Sequence, residues 1–168
     1  MACKHDKTAH ICIRVIWATA CQYLTEGNLL SKKYEFIEHT ADLGFKAYGT
    51  GLEELFAHAA EAFFETLVEL ESIKEREERS IEVEADALDD LMVSWLGELL
   101  YLYDTEGLLF KGFQVKQIED NRLAANVRGE ILDLARHEIK TEIKAVTYHK
   151  LYVKKVGGGW ETQVIFDI

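Results

Sequence analysis

Thr50-Gly51-Leu52-Glu53-Glu54-Leu55-Phe56-Ala57-His58-Ala59-Ala60-Glu61-Ala62-Phe63-Phe64-Glu65-Thr66-Leu67 decides the fold of this chain, because its apolar spacing is helical. Leu52, Leu55, Phe56, Ala59, Ala60, Phe63 and Leu67 recur at i, i+3, i+4, i+7, i+8, i+11 and i+15, which draws one stripe along an amphipathic helix. Thr50 and Glu53 form a capping-box pattern at its start. A second helix follows, with Asp86 as N-cap and Leu88, Leu91, Met92, Trp95, Leu96, Leu99, Leu102 and Tyr103 as its stripe. Gly107 is placed to end it. Aromatic residues on such stripes belong to a core rather than to a cofactor.

Outward from the helices the period changes from 3.6 to 2, the mark of strands. Tyr34 to Ile37 and Phe45 to Tyr48 precede the first helix, and Ile81-Glu82-Val83-Glu84 lies between the two. Phe113 and Val115 pair with Leu123, Ala125 and Val127 across a tight turn at Asp120-Asn121. Ile143 to Tyr148, Leu151 to Val156 and Trp160 to Phe166 follow, the last two joined by Gly157-Gly158-Gly159. The Glu-rich run from Glu69 to Arg79 reads as a solvated helix end and connection. This order predicts an α+β fold, two helices packed on a mainly antiparallel β-sheet in two layers. With no proline and no Ser/Gly-rich linker, residues 34–168 are expected to form a single domain behind an N-terminal tail, residues 1–33.

The 168 residues carry a formal net charge of -11, unevenly spread. Residues 1–33 hold five basic and two acidic side chains, and residues 34–168 hold 14 basic and 28 acidic ones. So acidic a domain argues against direct capture of nucleic acid and favours a protein partner with a basic surface. Cys3, Cys12 and Cys21 lie outside it, at spacings that suit neither a zinc knuckle nor a disulfide framework. The N-terminus imitates a secretion signal, but Arg14 cuts the apolar run from Ile11 to Ala20. No membrane span and a cytoplasmic location are expected.

Two segments invite chemistry. His39-Thr40-Ala41-Asp42 lies between two strands, where Asp42 and Thr40 either cap a turn or face a ligand. The chain as written ends Val164-Ile165-Phe166-Asp167-Ile168, an apolar strand that stops at an acidic residue, with a free α-carboxylate expected beyond it. If Asp42 meets that end, two side-chain carboxylates and a main-chain one converge, and such an all-oxygen cluster holds a hard cation or titrates abnormally. Lys144 sits among apolar neighbours, either guarding an edge strand or balancing those carboxylates. His58 and His149 read as rim or surface histidines. The glycine run lacks a following Lys-Ser or Lys-Thr, there is no GxSxG elbow, and no complete catalytic constellation is found.

From Tyr34 to Ile168 the chain resembles the archease family. The resemblance rests on Phe36-Ile37-Glu38-His39-Thr40-Ala41-Asp42-Leu43-Gly44-Phe45, Ala60-Glu61-Ala62-Phe63-Phe64, Lys144-Ala145-Val146-Thr147-Tyr148-His149 and Phe166-Asp167-Ile168, in that order. It implies a helper of the GTP-dependent RNA ligase of tRNA splicing, one that promotes guanylylation of the ligase and its multiple turnover. It implies no catalytic residue and no cofactor-binding residue, but a divalent-cation site at Asp42, Asp167 and Ile168, assigned as calcium, with magnesium or manganese as alternatives. GTP and Mn²⁺ belong to the partner ligase. By the same likeness Lys144 and Asp42 carry activation. The alternative reading is a general chaperone or adaptor of RNA-processing enzymes without a catalytic metal role. A metal-dependent phosphoesterase is disfavoured, since no general base accompanies the carboxylates.

Overall fold

The computed structural model describes residues 32–168; Thr40 and Ala41 lie outside that description, and Glu38, His39 and Asp42 are described by backbone alone. The expected tail falls almost wholly outside the described residues. Lys33–Ile168 forms one compact unit. Its order is β1 (Tyr34–His39), β2 (Asp42–Gly49), α1 (Leu52–Leu67), β3 (Glu77–Glu84), α2 (Leu88–Glu106), β4 (Leu108–Glu119), β5 (Arg122–Ile131), β6 (Ala145–Val156) and β7 (Gly159–Asp167), with a 3₁₀ turn at Leu70–Ser72. Among the described residues no helix is long and apolar enough to cross a membrane.

The fold is α+β with antiparallel strands throughout, but its strands divide into two sheets. One has the order β1-β2-β7-β6 and the other β3-β5-β4. Helix α1 packs on both. Phe63 meets Phe166 of β7 at 5.7 Å between ring centroids, while its neighbour Phe64 meets Phe110 and Phe113 of β4 at 5.6 and 5.7 Å. A helix flanked on two sides needs more than one apolar stripe, so Ala62, Phe64 and Thr66 are buried beside the predicted positions. Helix α2 is tied to α1 where the Trp95 indole N–H donates to the Phe56 carbonyl at 3.0 Å.

Several boundaries differ from the sequence reading. The α1 N-cap is Gly51, and Glu54 rather than Glu53 reaches back, accepting from the Thr50 N–H and hydroxyl, each at 2.6 Å. Ala87, not Asp86, caps α2, and Gly107 ends it at φ 66. Part of the Glu-rich run is strand: β3 begins at Glu77 and pairs with β5 from there on. The two segments 143–148 and 151–156 belong to one strand, β6, broken by a register shift between Thr147 and Tyr152. Its outer edge is covered at one point, where the Val153 N–H donates to Asp89 Oδ1 of α2 at 2.7 Å. The Asp120-Asn121 turn stands as expected, with both residues at positive φ (48 and 57), which matches the twist of a two-residue hairpin.

Candidate functional site

Strand β7 lies inside the larger sheet, flanked by β2 and β6, so both of its edges are hydrogen-bonded. That is why its last residues keep their place. Along the β2–β7 ladder the partners run from Gly49↔Trp160 to Leu43↔Phe166, and Asp42 and Asp167 are the residues that adjoin this last pair in their strands. On the other side Asp167 pairs with Ala145. The last β1–β2 pair is His39↔Asp42, at the same end of the sheet as the last two residues.

Lys144 is attached to this tip twice. Its N–H donates to the Asp167 carbonyl at 2.8 Å and its ammonium donates to the Ile168 carbonyl oxygen at 3.0 Å. It precedes β6 rather than lying within it, and it is exposed. Lys144, Asp167 and Ile168 are thus in contact, and the backbone of Asp42 lies at the same end of the sheet. The side chain of Asp42 falls outside the described residues, as do Thr40 and Ala41.

Close strand approach supports the arrangement. A Cβ on Gly44 would lie 2.2 Å from the Val164 carbonyl oxygen, so only glycine lets β2 come this near to β7 just below the tip. Beneath it, Phe166 stacks against Phe45 at 5.6 Å and against Phe63 of α1, which anchors the strand's end in the core. Phe166 is buried, while Asp167 and Ile168 emerge into solvent.

As a donor set the described tip offers the Asp167 carboxylate and the Ile168 main-chain oxygen, and Asp42, by residue type, is a further carboxylate at the same end of the sheet. These are hard oxygen ligands without nitrogen or sulfur, which fits Ca²⁺, Mg²⁺ or Mn²⁺ and not Zn²⁺ or Cu²⁺. Among the described residues no three His, Cys, Asp or Glu side chains cluster to hold a metal. A broad concavity on the smaller sheet, lined by Glu82, Glu84, Gln117, Glu119 and Arg122 among others, includes no residue of the tip.

Sequence reasoning missed what carries Lys144 to this place. Residues 132–144 have almost no regular structure, yet they are tied down along their length. Glu130, 3% exposed at the end of β5, accepts both Arg136 Nη1 and Nη2 at 3.2 and 3.0 Å, the Lys74 N–H at 2.8 Å, and His137 Nε2 at 3.2 Å. The Asp133 N–H donates to His137 Nδ1 at 2.9 Å, so the imidazole is neutral with its proton on Nε2. The Arg136 guanidinium, the Lys74 amide and His137 hold the Glu130 carboxyl down at about 2, against the burial that opposes them. Farther along, Ile139 bridges to Val68, Lys140 pairs with Glu65 at 2.7 Å, and Ile143 is buried. Only the buried Ile143, next to Lys144, left a trace in the sequence pattern.

The remaining candidates have ordinary roles. His58 Nδ1 donates to the Tyr48 carbonyl at 2.6 Å, and His149 is exposed in the β6 bulge.

Comparison with known proteins adds a lineage to this geometry. Residues 34–168 match the model of a family described as the archease protein family. The chain is 42% identical to Protein archease of Methanosarcina mazei over 141 residues, covering 82% of this chain and 97% of that protein. It is also 42% identical to Protein archease of Pyrococcus abyssi over 142 residues, covering 82% and 99%. The solution structure of a Methanobacterium thermoautotrophicum protein superposes with a TM-score of 0.71 at 38% identity, over 81% of this chain and 99% of that one. A crystal structure from Thermotoga maritima, described as an archease and "possible chaperone", superposes with a TM-score of 0.53 at 27% identity, over 79% and 94%.

Proposed function

The chain belongs to the archease family, and from that premise we propose that it is a protein cofactor of the GTP-dependent RNA ligase of tRNA splicing, promoting guanylylation of the ligase and its repeated turnover. The observation that carries this reading is the β2–β7 ladder, paired as far as Leu43↔Phe166, with Lys144 hydrogen-bonded to Asp167 and Ile168 at that end. Two like charges brought together at one strand end repel unless a cation or a proton neutralises them. The all-oxygen set suits calcium, held by Asp42, Asp167 and the Ile168 main-chain oxygen. When bound, the cation supplies Lewis acidity and open coordination positions for oxygens of a partner or its nucleotide. The protein's own part is positional. β7 fixes Asp167 and leads into Ile168, β2 begins with Asp42, and the strap through residues 132–144 brings Lys144.

The test mixes the full chain with its cognate ligase, GTP and Mn²⁺ and follows the guanylylated ligase over time. Asp42→Ala and Asp167→Ala should leave the melting transition near that of the parent, because both are polar residues at the end of the sheet. Both should abolish the stimulation. Undiminished stimulation by a folded Asp42→Ala protein would remove the mechanism. The description of the Thermotoga maritima relative as a "possible chaperone" favours a second reading, an adaptor that shapes its client without a metal. In that case both variants would stimulate as well as the parent.

A further inference from the structure

The charge of residues 34–168 is not spread evenly over the strands. From Ile143 to Trp160 the sequence holds Lys144, Lys150, Lys154 and Lys155, with His149, and no acidic residue. That leaves ten of the 14 basic and all 28 acidic side chains for the other residues of 34–168. The cationic segment is β6, an outermost strand of the larger sheet, with Lys144 just ahead of it. Its pairing with β7 is interrupted where Tyr148, His149, Lys150 and Leu151 stand opposite Val164 alone. Three of these four are exposed, Tyr148 to 62%, and Lys150 takes a φ of 57, in the left-handed region that a lysine rarely adopts. The bulge is held by β7 and by α2. The Gln163 side-chain amide donates to the Lys150 carbonyl at 3.2 Å, and the Tyr148 hydroxyl is hydrogen-bonded to Asp90. Beyond the bulge, Lys154 lies over the Tyr152 ring at 4.1 Å and Lys155 over the Trp160 ring at 5.2 Å.

We propose that β6 and its bulge are a contact surface for single-stranded RNA held by the ligase. The inference rests on the cofactor reading above, but it needs no cation at the tip. The strip begins beside Lys144, at the end of the molecule which that reading brings to the ligase's nucleotide. The RNA to be joined must come to the same centre, so the strand that leads away from the tip is within its reach. β6 pairs along the nine residues of β7, roughly 30 Å at about 3.3 Å per residue, a length that can follow several phosphates. Cations interleaved with aromatic rings suit a single strand, the ammonium groups meeting phosphates and the ring faces meeting bases. An acidic protein segment would use the lysines and leave the rings without a role. The acids that border the strip are already engaged: Asp89 accepts from the Val153 N–H at 2.7 Å, and Glu161 accepts from the Tyr152 hydroxyl and pairs with Lys154 at 3.3 Å. The acidity of the remaining chain does not cancel the strip at contact, because charges beyond about 8 Å are largely screened at physiological salt. It does oppose capture of free RNA, so the strip acts on RNA that the ligase already holds.

The test measures, by anisotropy, the affinity of a fluorescent single-stranded RNA for the cognate ligase saturated with the full chain. Guanylylation with GTP and Mn²⁺ is followed separately, in the absence of RNA. Lys150→Glu combined with Lys155→Glu should weaken RNA binding by about tenfold. It should also flatten the salt dependence of binding, since each phosphate contact to a single strand contributes about 0.7 to that slope. Tyr148→Ala should weaken binding by about fivefold through the lost stacking face. Tyr148→Phe keeps the ring, and Lys150→Arg combined with Lys155→Arg keeps the charge, so both should stay within about twofold of the parent. All four proteins should stimulate guanylylation as the parent does, which also shows that they fold. RNA affinity unchanged in both the charge-reversed and the Tyr148→Ala proteins overturns the proposal. So does a parallel fall in RNA affinity and guanylylation, which would make the strip a seat for an acidic surface of the ligase itself. If the parent chain neither binds the ligase nor stimulates its guanylylation, the cofactor reading fails and takes this proposal with it.

Discussion

Glu130 is a buried carboxylate that accepts hydrogen bonds from the neighbours Arg136 and His137 and from the backbone of Lys74, two separate places in the chain. Removing it strands the Lys74 amide and the buried His137 ring without their acceptor, so Glu130→Ala should destabilise the protein by about 1–3 kcal/mol. The pH dependence follows from the direction of the shift. The carboxyl ionises near 2 in the fold against an ordinary 4.5, so its stabilisation is complete above about pH 4.5 and is lost as pH falls toward 2. Urea midpoints of parent and Glu130→Gln at pH 7 and pH 3 should show a gap that narrows at the lower pH. A gap that widens would mean that the carboxylate is not what holds the strap. None of this was legible in the sequence, because Glu130, Arg136 and Lys74 sit at no periodic spacing. The capping residues were legible to within one position: Glu54 does what Glu53 was expected to do, since the helix starts at Leu52 and the carboxylate one residue farther on reaches the Thr50 N–H.

Strands β2 and β7 bear on the site most directly. With a Cβ at Gly44 only 2.2 Å from the Val164 oxygen, Gly44→Ala must force the two strands apart where they lead into the tip. A loss of about 2–4 kcal/mol in thermal or urea unfolding is expected, together with weaker calcium uptake by calorimetry. Gly97, inside α2, makes the contrasting case, since a Cβ there meets nothing within 4 Å. Gly97→Ala should stabilise by about 0.5–1 kcal/mol, through helix propensity and a less flexible unfolded chain. Both helices and the Asp120-Asn121 hairpin could be read from apolar period and turn chemistry, because those signals are local. The continuity of β6 could not. Its register shift between Thr147 and Tyr152 interrupts the alternation, so one strand reads as two. The approach of Asp42 to Asp167 was open to sequence reasoning only as a conditional, because it depends on β7 lying between β2 and β6, a matter of topology.

Across the whole molecule, the acidity of residues 34–168 sets how a partner is met. Electrostatic steering toward a basic surface should make the association rate with the ligase fall by about tenfold between 50 mM and 500 mM salt, as stopped-flow or surface-binding kinetics would show. A rate indifferent to salt would mean that the charge serves solubility alone. The division into two sheets was hidden from the sequence for a physical reason. Apolar alternation tells which face of a strand is buried but not which strand lies beside it, and α1 hides the division by covering both sheets with Phe63 and Phe64. The carboxylate that Asp89 lends to the Val153 amide has a consequence at this scale. Unpaired amides along a sheet's border are templates on which another molecule's extended segment can grow, the route by which soluble proteins become fibres. Filling one such vacancy from a neighbouring helix removes a rung from that template, so copies of this protein can crowd together without zipping along that border.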